Sequence, residues 1–249
     1  MDHPGWVRRV GGDVECGRLH DGFEFLGGVP AAFLAKPNLK KFGDFAMWDL
    51  PALEQRDGLI HSRACDDLVN CATILAAFDS LEARGVEAAV HAVFTRAEEV
   101  GFVGAVELAR RWPYPEGAVF VSLETSAPVP GVEIGGGPVL RVGDRLSIFD
   151  HCATGHFARV AAEAGIEVQR CLLDRGACEA TAIQAYGIPA AGMSIALGNY
   201  HNCGPGSKIE AEFISRDDYF SMVALVAAIV ESPPAGGDQP AIFFPGAGV

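Results

Sequence analysis

The sequence has few basic residues, no regular cysteine framework and no apolar run long enough to cross a bilayer. Lysine and arginine together number 19, against 32 aspartate and glutamate residues, so the formal net charge is −13. Without a basic stripe, binding to a nucleic-acid backbone or to an anionic membrane surface is not expected. A transmembrane helix needs about 20 apolar residues, and no such stretch occurs. We therefore predict neither a nucleic-acid partner nor a membrane partner.

The 7 cysteines are scattered and form no Cys-x-x-Cys pair. An odd number of thiols in a chain of 249 residues is typical of reduced cysteines in the cytosol. The sequence does not open with a charged segment followed by an apolar signal core. Hydrophobic residues make up 49% of the chain, which is enough for a substantial core. These features predict a soluble, cytoplasmic protein with one large domain or one domain plus an appendage.

The beginning of the chain differs in pattern from the rest. Residues 5–58 contain short runs of alternating apolar and polar residues, interrupted by glycine and proline, which predicts a small β-rich domain at 1–58. In residues 59–232, strand-like and helix-like segments alternate, which predicts an α/β domain with a mixed central sheet covered by helices. Residues 233–249 are rich in proline, glycine and alanine and are predicted to be a tail.

Apolar spacing indicates the individual elements of the α/β domain. It predicts helices over 68–84, 103–112, 153–164, 179–186 and 217–230. Short apolar runs predict strands over 59–62, 88–94, 118–123, 167–172 and 190–197. The glycine-rich segment 135–138 lacks the Gly-Lys-Ser/Thr of a phosphate loop, so we interpret it as a loop or as a tight approach of the backbone to something else.

Carboxylates and one histidine follow several of the predicted strands. They are Asp66, Asp67, Glu98, Glu99, Glu124 and His201. Because ligands bind at the carboxyl ends of the strands in an open α/β sheet, we expect these side chains to converge there. Carboxylates and imidazole suit zinc, manganese or cobalt. A carboxylate left free beside such an ion is a natural general base for an activated water.

Each of these residues also has a simpler explanation when it is considered alone. Asp66 or Asp67 can cap the helix that begins at Leu68. Glu124 can pair with a surface arginine, and His201 can lie in a solvent-exposed loop. The coincidence of ligand-type residues at several strand ends favours a metal site over the separate explanations.

These residues resemble the motifs of the dinuclear zinc aminopeptidases of the glutamyl aminopeptidase and tetrahedral aminopeptidase type, some of which are called endoglucanases. Residues 63–67, Arg-Ala-Cys-Asp-Asp, are similar to the family's Arg-Ala-x-Asp-Asp segment. Residues 98–101, Glu-Glu-Val-Gly, are similar to its Glu-Glu-x-Gly segment. His201 falls at the position of the C-terminal histidine ligand. The resemblance covers nearly the whole chain.

The resemblance implies a zinc-peptidase-like fold, a catalytic role for residues 59–232 and a set of site residues. Asp66 would bridge two metal ions, Glu99, Glu124 and His201 would complete the ligands, and Glu98 would be the general base. The implied cofactor is one or two divalent ions, zinc with cobalt or manganese as alternatives, and the implied substrate is a peptide. In the family the small β-rich domain is an insertion that helps to build the oligomer, so a homo-oligomer is expected.

The family's early His-x-Asp motif is incomplete in this sequence. Asp2 matches the aspartate of this motif, which the resemblance assigns a catalytic role because it orients one metal site. The histidine of the motif would precede Met1. We therefore expect that the sequence begins after this ligand. One metal site would then bind weakly unless His3 or His20 substitutes, and we predict nearer one than two equivalents of metal.

A second difference lies at residues 175–180, where the family has Gly-Gly-Thr-Asp-Ala. Here the acid is Glu179, one carbon longer than aspartate, and it follows Cys178. The loop borders the substrate pocket in the family, so we predict that Glu179 binds substrate. Cys178 has no histidine or asparagine signature of a cysteine nucleophile and is predicted to line the pocket.

Three other functions remain open at this point. A metal-dependent amidohydrolase or deacylase could use the same ions on a different amide. A glycosidase with paired carboxylates would work without metal. A catalytically impaired homologue would hydrolyse no aminoacyl reporter even with excess metal. The interpretation we favour is a metal-dependent aminopeptidase that removes N-terminal residues from peptides.

Overall fold

A computed structural model describes residues 2–8, 14–26, 29–34 and 45–232 of the chain, with side chains from Trp48 onward except at Ser207. The chain divides into two compact units. The first comprises Met1–Cys65 and Gly198–Phe213, and the second comprises Asp66–Leu197 and Ile214–Val249. The domain boundary that the sequence predicts at residue 58 remains a prediction.

The first unit contains an antiparallel sheet formed by its earliest strands. These are β1 (Asp2–Arg8), β2 (Val14–Leu26), β3 (Val29–Leu34) and β4 (Phe45–Trp48), in the order β3-β2-β1-β4. Strands adjacent in the chain pair with each other from β1 to β3, as expected for hairpins. The side chain of Asp2 lies outside the described part of the chain, as do those of His3 and His20.

A second sheet contains β5 (Glu54–Arg56), β6 (Leu59–Ser62) and β11 (Glu212–Ser215), in the order β11-β6-β5. Asp57 and Gly58 turn the chain between β5 and β6 with φ angles of 51° and 76°. Two-residue hairpins with positive φ at both positions favour Asp-Gly, which explains this turn. Near the start of β11, Gly198 and Phe213 exchange backbone hydrogen bonds of 2.8 and 3.1 Å.

The second unit is built on a mixed sheet. Its strands are β7 (Phe120–Ser126), β8 (Val139–Asp144), β9 (Gln169–Leu173) and β10 (Ala190–Ala196), in the order β7-β10-β8-β9. Strand β10 runs parallel to β7 and antiparallel to β8. All of its residues are buried, because it has a strand on each side and helices pack against it. The predicted α/β fold with a mixed sheet is confirmed.

The α-helices of the described chain lie at nearly the predicted positions. They are α1 (Cys65–Ala83), α2 (Val103–Arg110), α3 (His151–Glu163), α4 (Glu179–Gln184) and α5 (Arg216–Glu231). Side-chain caps start two of them, because Asp150 accepts a hydrogen bond from Ala153 and Ser215 accepts one from Asp218. Among the described residues, no helix is both long and apolar enough to cross a membrane.

Two details of the predicted strands are wrong. The apolar run 88–94 is not a strand, and Phe94 is 51% exposed. Its composition favours extended backbone, but no described strand pairs with it, and strand stability comes from cross-strand neighbours. Glu124 lies inside β7, two residues before its end, instead of after the strand.

The glycine-rich loop before β8 lies close to other parts of the chain, which is one of the two alternatives that the sequence left open. Asp218, which is 1% exposed in the first turn of α5, accepts hydrogen bonds from the amides of Gly135 and Gly137 at 2.7 and 2.9 Å. A side chain at Gly137 would collide with the backbone of Glu167. This loop fixes the start of β8, which carries a residue of the candidate site.

Candidate active site

The two aspartates that open α1 have different roles in the structure. Both have non-helical backbone angles, so the regular helix begins at Leu68. Asp67 accepts hydrogen bonds from the backbone and the side chain of Asn70, the latter at 2.7 Å. Asp67 therefore caps the helix, the role considered for either aspartate. Burial raises the pKa of Asp67 well above its usual value, and the charge of Glu124 adds a smaller contribution in the same direction.

Glu98 and Glu99 lie in a tight turn that leads into α2. The amide of Phe102 donates to the carbonyl of Glu98 at 3.0 Å, and both Ala97 and Phe102 have positive φ. Burial raises the pKa of Glu98 to about 7, with further contributions from the charges of Glu99, Glu179 and Asp66. A carboxyl group with a pKa near neutrality can both accept and return a proton, which suits a general base.

Glu124 is held on the sheet and is only 9% exposed. The hydroxyl of Ser122 donates a hydrogen bond of 2.9 Å to its carboxylate. Burial raises the pKa of Glu124 to about 8, and the charges of Glu98 and Asp66 act in the same direction. The positive charge of Arg141 opposes this rise. Glu124 thus belongs to the same acidic cluster as Asp66 and Glu98.

Glu179 and Cys178 lie at the beginning of α4. The hydroxyl of Thr95 donates a 2.5 Å hydrogen bond to the Glu179 carboxylate, which links α4 to the turn that carries Glu98. Burial raises the pKa of Glu179. Burial also raises the pKa of the Cys178 thiol to about 12, and this side chain is 1% exposed. A protonated, buried thiol is a poor nucleophile, in agreement with the prediction that Cys178 is not a catalytic nucleophile.

His201 lies in the loop that follows β10, with a positive φ of 55°. Its ring stacks on that of Tyr200, with centroids 3.9 Å apart. Asp66, Glu99 and His201 each offer one ligand atom, and these atoms lie within 4.8 Å of one another. Two carboxylates and an imidazole at this spacing fit one divalent ion and leave a coordination position for substrate or water, the pattern of catalytic zinc sites.

The structure does not bring every predicted ligand into this group. Within the described part of the chain, Glu124 is outside the group, although its charge interacts with that of Asp66. Arg141, a residue of β8 that is 3% exposed and interacts with Glu98 and Glu124, was not among the predicted site residues. The apolar residues on both sides of Arg141 could have indicated a buried strand. Because β8 was not predicted, its arginine was not considered.

Solved aminopeptidases share this fold. The TET aminopeptidase from a marine sediment Thaumarchaeota archaeon matches with a TM-score of 0.76 and 20% identity, over 94% of this chain and 71% of that one. The TET1 peptidase of Pyrococcus horikoshii matches with a TM-score of 0.75 and 22% identity, over 92% and 71%. An aminopeptidase from Desulfurococcus kamchatkensis matches with a TM-score of 0.71 and 21% identity, over 92% and 68%. A search of curated proteins found no match.

The fold is thus that of the aminopeptidases, and the sequence identifies the family more closely. The family model of the M42 glutamyl aminopeptidases matches residues 37–225. The chain belongs to this family and is a metal-dependent aminopeptidase. The recognition from the Asp-Asp and Glu-Glu motifs is confirmed, and the glycosidase alternative is not favoured.

Proposed function

We propose that Asp66, Glu99 and His201 hold the catalytic divalent ion and that the chain removes N-terminal residues from peptides. The observation that carries this proposal is the approach of their three ligand atoms to within 4.8 Å. The ligand set suits zinc, with cobalt or manganese as alternatives. When bound, such an ion supplies Lewis acidity, which lowers the pKa of water and polarises a carbonyl.

Glu98 is the proposed general base. Its carboxylate accepts the proton of the attacking water and later donates it to the leaving amine. Its burial and its carboxylate neighbours support this assignment, because they give it a pKa of about 7. The family resemblance also assigns a supporting role at the metal centre to Asp2, which remains a proposal.

Asp66 and Glu124 are the proposed ligands of a second ion. Both are carboxylates of one acidic cluster, and the charge of each disfavours ionisation of the other. A divalent ion would relieve this repulsion, which supports the assignment. With the described ligands alone this second ion has fewer donors than the first, so we expect it to bind more weakly.

Glu179 is the proposed anchor for the free α-ammonium group of the peptide. An aminopeptidase must distinguish a chain terminus from an internal peptide bond, and a carboxylate recognises the terminal positive charge. The hydrogen bond from Thr95 fixes the orientation of Glu179. The charge of Glu179 is near enough to raise the pKa of Glu98. The ammonium group would then lie close to the general base.

We also propose a homo-oligomer in the cytoplasm. The Pyrococcus horikoshii TET1 peptidase assembles into a tetrahedron or a large octahedral shell. None of the described cysteines of this chain is in a disulfide bond, which supports a reducing compartment. Light scattering of the purified chain tests the assembly, and a monomer at micromolar concentration would contradict it.

The experiment that tests the function uses chelation and metal return. The purified chain is treated with a chelator and assayed on aminoacyl reporters, on N-acetylated peptides and on small non-peptide amides. We expect activity on free N-termini alone, lost with the chelator and restored by zinc, cobalt or manganese. Activity on the blocked peptides or small amides would support the deacylase alternative. No activity with any ion would support the impaired homologue.

A further inference from the structure

Arg141 is a buried cation that the proposed reaction does not use. Its side chain is 3% exposed, and its Nε has no hydrogen-bond partner. Its guanidinium carbon lies 5.9 Å from the centroid of the buried Phe149 ring. Burying a guanidinium group is costly unless nearby charges compensate it. Negatively charged groups near Arg141 are therefore expected to stabilise its guanidinium group.

The strand register places Arg141 on the same face of the sheet as Glu124. Arg141 on β8 pairs with Gly192 on β10, and Gly192 pairs with Ser122 on β7. Directly paired residues share a face, and Glu124 is two residues after Ser122, so it lies on that face as well. The three strands therefore carry a polar row in which Arg141 and Glu124 are separated by β10.

Gly192 leaves the space in which the arginine extends. A Cβ atom at this position would lie 3.2 Å from Cδ of Arg141 and 2.8 Å from Cε2 of Phe149. The side chain of Arg141 thus passes over Gly192, the residue of β10 that has no side chain. This arrangement directs a fixed positive charge along the sheet face toward the acidic cluster.

Arg141 interacts electrostatically with the acidic cluster. Its charge acts on Glu98 and Glu124 in the direction that favours their ionised forms. The carboxylates therefore compensate the buried guanidinium, and the guanidinium partly neutralises the carboxylates. Such a resident charge performs part of the electrostatic role of a metal ion, and it repels a dication that approaches the same carboxylates.

We propose that Arg141 is a built-in counter-cation that weakens binding of a second divalent ion at Asp66 and Glu124 and so favours a single-ion form of the enzyme. This inference rests on the proposed metal site. Arg141 belongs neither to the Asp-Asp and Glu-Glu motifs nor to the group of ligand atoms, and the inference gives it a role in setting the number of bound ions. The first ion has two further proposed ligands, Glu99 and His201, so one repelling charge should weaken its binding less.

The test measures metal uptake. Wild type and Arg141→Met are stripped with a chelator and titrated with zinc by calorimetry, and the ions retained after desalting are counted by mass spectrometry. We expect the second ion to bind at least about tenfold more tightly to Arg141→Met, because one repelling charge is removed in a low-dielectric site. Arg141→Lys, which keeps the charge, should resemble wild type. Arg145→Met, which removes an exposed arginine four residues further on, controls for net charge.

Three results would overturn the inference. One is an unchanged or weaker second ion in Arg141→Met, and another is two ions of equal affinity in wild type. The third is an equal effect of Arg145→Met, which would assign the change to net charge. If Arg141→Met does not fold, Arg141→Gln carries the same comparison, because its amide keeps a donor in the buried position. A wild-type chain that binds no ion overturns the proposed function and, with it, this inference.

Discussion

The apolar run 88–94 and strand β10 have similar compositions and opposite fates. Both begin with Ala-Ala and continue with mostly apolar residues. Strand β10 has a hydrogen-bonded neighbour on each side, and every residue in it is buried. Residues 88–94 form no strand in the structure, and most of their side chains are exposed. Apolar sequence therefore favours extended backbone, whereas pairing decides whether a strand forms.

The difference extends to the carboxylates that follow or belong to these segments. Glu124 is carried by a paired strand, and its carboxylate is buried and hydrogen-bonded to Ser122. Glu98 and Glu99 are carried by a turn whose geometry comes from backbone hydrogen bonds with the start of α2. The acidic cluster thus combines a sheet-held group with turn-held groups. Substitutions that separate the two kinds of support test this distinction.

The largest effect is expected for Glu98→Gln, which removes the proposed base from the turn. We expect turnover to fall about 10²–10⁴-fold, because a positioned general base contributes that much. Metal content, measured by mass spectrometry, should not change. Glu107→Gln, an exposed residue of α2, is the control and should keep full activity. Near-wild-type activity of Glu98→Gln would remove this residue from the mechanism.

The next effect separates the turn-held ligand from the sheet-held one. We expect Glu99→Ala to lose the tightly bound ion, because it removes one donor of the three-atom group. Glu124→Gln should retain that ion and lose only the weaker one. Calorimetric zinc titration of the stripped variants measures both. Equal loss in the two variants would mean that the ligands form one inseparable site.

A third comparison concerns stability. Ile195→Ala in β10 creates a cavity at a residue that is 0% exposed, and we expect a loss of about 2–5 kcal/mol. Phe94→Ala removes a side chain that is 51% exposed, and we expect a loss of about 1 kcal/mol or less. Urea unfolding of the chelated protein measures both. A large loss for Phe94→Ala would show that residues 88–94 are packed in solution.

The last comparison concerns the pH dependence of the metal-free protein. Burial raises the pKa of Glu124 to about 8 in the folded state, above the value of about 4.3 expected when unfolded. The folded state therefore binds the extra proton, and stability decreases as pH rises from about 4.3 to 8. We expect the melting temperature of chelated wild type to fall over this range relative to that of chelated Glu124→Gln.

Zinc should reduce this difference, because a bound dication stabilises the ionised carboxylate. The comparison with Glu124→Gln removes the contribution of other titrating groups, such as His61, whose pKa is lowered mainly by burial. If the melting temperature of wild type rises with pH relative to that of Glu124→Gln, Glu124 is ionised in the folded protein without metal.

Much of the fold could be predicted from the sequence, because helices depend on local spacing. The predicted helix 217–230 differs from α5 by one residue at each end. Strand β8 was missed because the central Arg141 interrupts its apolar pattern. The strand predicted at 88–94 was wrong because pairing is a property of distant residues, which local composition does not report.

The candidate site was predictable as a set of residues but not as a geometry. The Asp-Asp and Glu-Glu motifs identified the acids, and the resemblance assigned their roles. The division of work between Asp67, which caps α1, and Asp66, which joins the ligand group, depends on the hydrogen bonds to Asn70. The charge of Arg141 enters the cluster through the register of β7, β10 and β8, which no single segment encodes.

The hydrogen bonds from the amides of Gly135 and Gly137 to Asp218 connect α5 to the start of β8. Asp218 holds the loop from which β8 begins, so α5 helps to set the register in which Arg141 faces the acids. Replacing Asp218 by an apolar residue would leave two glycine amides without their acceptor. If Arg141 controls metal stoichiometry as proposed, a substitution in α5 that removes this carboxylate should change the stoichiometry as well, through the start of β8.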